Sequence, residues 1–243
     1  MALRSFLDGT LFAEVYGEGR PNVLALHGWG RRGRDFAMMM EGFSGIAPDL
    51  PGFGSTPAPD EVIGADAYAD IVAGVLGQFD RPPVVVGHSF GGRVAVCLAA
   101  RHPGQVGPLV LTGVPLIRAQ KTITPAIGFR VVRRLHRMGV VSDERLEQEK
   151  RKRGSADYRA ATGVMRDILV KVVNESYESQ LQRVSTPVRL VWGADDTEVP
   201  VSVAEAAQSF IADSSLEVLA GVGHFVPLQA PGSLRAAVEE VCR

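Results

Sequence analysis

The chain has 243 residues, of which 46% are hydrophobic and 22% charged, with a formal net charge of −1 at pH 7; this suits one large α/β domain with room for an inserted subdomain. The charge balance argues against a nucleic-acid binder, which shows a basic excess, and no stretch reaches the roughly 18 uninterrupted apolar residues of a membrane span. Two cysteines, Cys97 and Cys242, make no disulfide framework, and Cys97 falls in an apolar run as a small buried hydrophobe.

The opening stretch MALRSFLDGTLFAEVYGEG lacks the apolar core and cleavage site of a signal peptide, so a cytoplasmic protein is expected. Alternation over Leu11–Tyr16 predicts the first strand. Short apolar runs bounded by Gly, Pro or Asp predict further strands at Val23–Leu26, Gly45–Pro48, Val84–Gly87, Leu109–Thr112, Val188–Trp192 and Leu216–Leu219. Helical spacing marks Asp66–Phe79, Arg93–Arg101, Val203–Ile211 and Ser233–Val241. This rhythm implies an α/β fold, a mostly parallel sheet wrapped by helices.

Residues 116–183 break the rhythm, with helical patterns around Ile127–Met138, Asp143–Lys152 and Tyr158–Val173 and no convincing strand. The expected organisation is a core of residues 1–115 and 184–243 with a helical cap between its halves. From Arg118 to Arg153 the insertion is rich in basic residues, opposed by Asp143, Glu144, Glu147 and Glu149. A solvated helix face explains this more simply than an attraction for acidic ligands. The spacing of Phe129, Val132 and Leu135 also suits a lid helix over a pocket.

Residues 84–96, VVVGHSFGGRVAV, run from β-branched residues into glycines around Ser89 and back into small apolar residues. A strand turned sharply into a helix holds such a serine in a strained, exposed position, the G-x-S-x-G nucleophile elbow. After Val23–Leu26 comes HGWG, a loop whose N–H groups can face a cavity at a strand end. The amides of Trp29 and Phe90 are the candidate oxyanion hole.

A serine hydroxyl needs a base. His88 adjoins Ser89 on a strand, so its side chain is expected to point away from it, and His102 and His136 read as surface residues. His224, in AGVGHFVP beyond the last predicted strand, is the candidate base. For the acid, VWGADDTEVP offers Asp195, Asp196 and Glu198, in the chain order serine, acid, histidine.

HGWG, DLPGFGST, GHSFGG, VWGADDTEVP and GVGHFVPLQAP together resemble the signature loops of the α/β-hydrolase family and extend from residue 27 to residue 231. The resemblance implies an eight-stranded, mostly parallel sheet with a helical cap after the sixth strand. It implies nucleophile Ser89, acid Asp196 and base His224, with Asp196 selected over Asp195 by aligning Gly193 with the glycine of G-x-x-D. Ser89 stands where haloalkane dehalogenases and epoxide hydrolases carry aspartate, which argues against both. The pairing of HGWG with LPGFG is similar to carboxylesterases that cleave pimeloyl methyl esters, although His88 stands where those have tryptophan. The implied activity is hydrolysis of a small carboxylic ester or thioester through an acyl-enzyme. Carbon–carbon bond hydrolysis, cofactor-free haloperoxidase chemistry and a ligand receptor with an idle triad are the alternatives. No metal or other cofactor and no nucleic-acid partner is expected, and the chain is expected to be a monomer or small homo-oligomer.

Overall fold

In the computed structural model, which describes residues 1–117 and 155–242 together with Leu135, His136, Met138, Val141, Ser142 and Arg145, the apolar runs pair into one eight-stranded sheet. The strands are β1 (Ala2–Phe6), β2 (Leu11–Tyr16), β3 (Val23–Leu26), β4 (Gly45–Pro48), β5 (Val84–His88), β6 (Leu109–Thr112), β7 (Val188–Gly193) and β8 (Ser214–Leu219). Their order is β1-β2-β4-β3-β5-β6-β7-β8. β2 runs antiparallel to both its neighbours, and every pairing from β4 through β8 is parallel.

The central strands are buried on both faces, which is why they are continuous apolar runs rather than alternating ones. Alternate side chains feed two cores: Leu24, Leu26 and Val85 join one layer with Tyr68 and Leu98, whereas Val23, Ala25 and Val86 join the other with Phe36, Leu234 and Val238. β1 was not among the predicted strands. It is an edge strand, exposed over Ala2–Ser5, so no apolar alternation marks it.

Helix α1 (Ala65–Ala73) stops short of the predicted Phe79, and a 3-10 turn at Leu76–Gln78 follows. Gly74 lies between them with its Cα side against Leu7, where a Cβ would come within 2.7 Å of Leu7 Cδ2. Helix α2 (Phe90–Arg101) begins directly after Ser89, three residues before the predicted start. The predicted helices around Ile127–Met138 and Asp143–Lys152 fall largely outside the described residues, as do Phe129 and Val132.

Between β6 and β7 the described residues form α3 (Ala156–Ala160), α4 (Gly163–Val172) and α5 (Glu178–Leu181). The predicted helix Tyr158–Val173 is thus two: Ala161 and Thr162 are extended, and Gly163 sits at φ +51. Ser155 caps α3 by accepting the Tyr158 N–H at 3.1 Å. α4 buries Ile168, Leu169 and Val172, and Tyr177 and Leu181 join the main core. Arg93 of α2 anchors this segment: its Nη1 donates to the Val172 carbonyl at 2.7 Å and its Nε to that of Pro115 at 3.2 Å. A cation at a helix C-terminus complements the dipole, and the Tyr177 ring lies under the guanidinium, 5.6 Å away. The chain closes with α6 (Val201–Gln208), α7 (Val226–Gln229) and α8 (Pro231–Val241). No described helix is long and apolar enough to cross a membrane.

Candidate active site

Ser89 sits between β5 and α2 at φ 50, ψ −115. A non-glycine residue in that region is strained and persists only where its surroundings over-determine it. The glycines around it supply those surroundings. A Cβ on Gly87 would lie 2.5 Å from Gly92 Cα, and one on Gly91 would run into the Leu26 carbonyl, so β5, α2 and β3 close up only because these side chains are absent. The Ser89 N–H donates to the Thr112 carbonyl at the end of β6, at 3.0 Å, and its side chain remains partly open to solvent.

The loop after β3 is held by a histidine that has no chemistry to spare. Leu50 N–H donates to His27 Nε2 at 2.9 Å, so Nδ1 carries the proton and donates to the Gly28 carbonyl at 2.7 Å. Burial pushes the His27 pKa down to about 4. Asp49 ties the same loop to the one after β4, accepting the Gly33 N–H on Oδ1 and the Ser55 N–H on Oδ2, both at 2.8 Å. Gly30 turns the chain at φ +67, and the Trp29 ring packs edge-on against Phe53 and Phe90, with centroids 4.9 and 5.3 Å apart. Phe90 opens α2, so its N–H is one that a helix leaves without an internal acceptor.

His224 and Asp196 come from the loops after the neighbouring strands β8 and β7. The loops run side by side, with Ala194 N–H on the Leu219 carbonyl and Asp195 N–H on that of Val222, each at 2.9 Å. His224 Nδ1 then meets Asp196 Oδ2 at 2.8 Å, both side chains being buried. Asp196 Oδ1 accepts the N–H groups of Glu198 and Val199 at 2.9 and 2.8 Å. Burial pushes the Asp196 pKa up, but the His224 hydrogen bond and these two N–H groups outweigh it and hold the carboxyl below its ordinary value. Asp195 and Glu198 are exposed; Glu198 Oε2 lies 3.6 Å from His224 Nε2, the nitrogen that Asp196 leaves open.

The imidazole stands over Gly113, where a Cβ would lie 2.9 Å from His224 Cε1. Gly113 follows the Thr112 whose carbonyl holds the Ser89 backbone. Serine, histidine and aspartate therefore gather at the carboxyl ends of β5 to β8. His102 lies apart, beside Asp70 at 3.2 Å, and His136 is half-buried in the insertion.

Two residues gained no role from the sequence but hold the site. His88 is buried, and its Nε2 donates to the His224 carbonyl at 3.0 Å, which fixes the main chain bearing the imidazole. Burial, then the nearby His224 charge, push its pKa down to about 3. Asp49 is the other; an aspartate opening a Gly-rich DLPGFGS loop signals side-chain capture of the loop N–H groups.

A strained serine after a buried strand, with a His–Asp pair at the same edge of a parallel sheet, defines a hydrolase scaffold of the α/β type. Residues 23–237 match the Alpha/beta hydrolase family, and the chain belongs to it. It is 28% identical to a pimeloyl-[acyl-carrier protein] methyl ester esterase of Aromatoleum aromaticum, over 92% of this chain and 99% of that one. A protein of the same description from Chromobacterium violaceum is 45% identical, but the match spans only 42% of this chain and 39% of that one. An esterase from Exiguobacterium antarcticum has the same fold, with a TM-score of 0.73, 21% identity and 99% coverage of both chains.

Proposed function

We propose that the protein is a serine hydrolase that cleaves a small carboxylic ester or thioester through an acyl-enzyme, without a cofactor. The observation that carries this reading is the Nδ1–Oδ2 contact of 2.8 Å between His224 and Asp196, which leaves Nε2 as the reactive nitrogen. In this reading Ser89 Oγ attacks the carbonyl carbon and His224 Nε2 takes its proton, while Asp196 stabilises the imidazolium. The amides of Trp29 and Phe90 receive the oxyanion. The imidazolium then protonates the departing alcohol or thiol, and water, deprotonated by the same histidine, releases the acid. The two relatives described as methyl ester esterases favour ester over carbon–carbon bond cleavage.

The insertion of residues 116–183 acts as the lid in this proposal. Its support is the packing of Met165 against Gly52, beside the loop that bears Phe53, and the electrostatic influence of His224 on Asp157 of α3. Both cysteines are free thiols, which suits a cytoplasmic enzyme. The test is labelling by a fluorophosphonate, which is expected to modify Ser89 and to spare the Ser89→Ala variant, followed by nitrophenyl esters of increasing acyl length. No labelling of the wild type, or equal labelling of the variant, overturns the proposal.

A further inference from the structure

The acid-bearing loop carries two carboxylates against the same imidazole, one on each nitrogen. Asp196 is buried and holds Nδ1; Glu198, with its side chain 58% exposed, brings Oε2 to 3.6 Å from Nε2. The position of Glu198 is not free to drift, because its own N–H donates to Asp196 Oδ1 at 2.9 Å. The carboxylate that orients the histidine thus also fixes where the second carboxylate starts. In acyl transfer by a serine and a histidine, Nε2 is the atom that delivers the proton to the departing oxygen or sulfur. The leaving group must pass beside Glu198.

The positive charge of Arg31, next to Phe225, is already compensated. Its guanidinium lies over the Phe225 ring at 5.3 Å and is paired with Asp35 at 2.5 Å. His88 is held neutral at ordinary pH by burial. We propose that Glu198 is a specificity-determining residue that makes the leaving-group side of the site select for cationic alcohols and against anionic ones. This inference rests on the serine-hydrolase reading, in which Nε2 faces the leaving group.

The experiment uses three butanoyl esters of matched size: the choline ester, its neutral neohexyl isostere, and the ester of γ-hydroxybutyrate. An exposed charge pair is worth up to a factor of about five, so kcat/KM of the wild type is expected to fall by about two- to fivefold at each step from cation to neutral to anion. The preference is expected to shrink at high salt. Glu198→Gln is expected to flatten the series, and Glu198→Lys to reverse it. A series that is flat in the wild type, or unchanged by Glu198→Gln, overturns the inference while leaving ester hydrolysis in place. No turnover of any ester by the wild type, or turnover that survives Ser89→Ala, overturns the underlying reading and the inference with it.

Discussion

The loops of the amino-terminal half, residues 27–33 and 49–55, and those of the carboxy-terminal half, residues 193–199 and 222–229, meet at one sheet edge but are held in opposite ways. In the first pair every ring nitrogen of His27 and both oxygens of Asp49 bind backbone groups. In the second pair His224 binds a carboxylate through one nitrogen and leaves the other facing an exposed glutamate. Burial does not separate the two histidines, since His27 is 1% exposed and His224 only 7%. What separates them is the partner. Two neutral backbone partners freeze a histidine as a brace, whereas one buried carboxylate orients it and stabilises the charged form that proton transfer needs.

The largest effect is expected at Ser89, the proposed nucleophile. Ser89→Ala is expected to lower turnover by a factor of about 10⁴ to 10⁶ while the circular dichroism spectrum stays unchanged; a residual rate within about tenfold of wild type sinks the assignment. Next comes the partner that distinguishes His224. Asp196→Asn keeps the shape but favours the wrong tautomer, and steady-state kinetics are expected to show a loss of about 10⁴.

The brace makes a prediction of its own. His27 and His88 stay neutral in the folded protein down to about pH 4 and pH 3, whereas in the unfolded chain they take up protons below about pH 6.5. Between these limits the unfolded state binds more protons, so stability falls as pH falls, by about 2 kcal/mol per histidine at pH ~5. Above about pH 6.5 both states are neutral, and these residues contribute no pH dependence. Urea unfolding across this range checks the sign, and His27→Gln is expected to remove about half of that slope. The smallest effect belongs to the exposed acid: Asp195→Asn is expected to cost less than about tenfold in rate, and a larger loss than that of Asp196→Asn would invert the assignment.

Local pattern carried the buried strands, because Val84, Val85 and Val86 need no distant partner to look like a central strand. β1 escaped for the reverse reason, being an exposed edge recognised only through its pairing with β2. The break at Ala161 and Thr162 escaped because apolar spacing continues across it. Within the site, Ser89 and its glycines were legible because their constraint is a local turn. The role of His88 was not, since its acceptor lies 136 residues away. Nor could spacing alone choose among Asp195, Asp196 and Glu198. That choice depends on how β7 and β8 align, with Gly193 opposite Leu219, and on the loop contacts that follow.

β8, which leads into the His224 loop, is the last strand of the sheet, paired only with β7, and each of its residues is exposed or half-buried, whereas every residue of β5 is buried. Elements with few buried contacts open at lower free energy than the core around them. Amide hydrogens of β8 are therefore expected to exchange with deuterium sooner than those of β5, and rising denaturant to silence the enzyme before its ellipticity falls. Partial opening at this edge would carry off the loop that bears His224, the proposed base, while most of the fold stays intact.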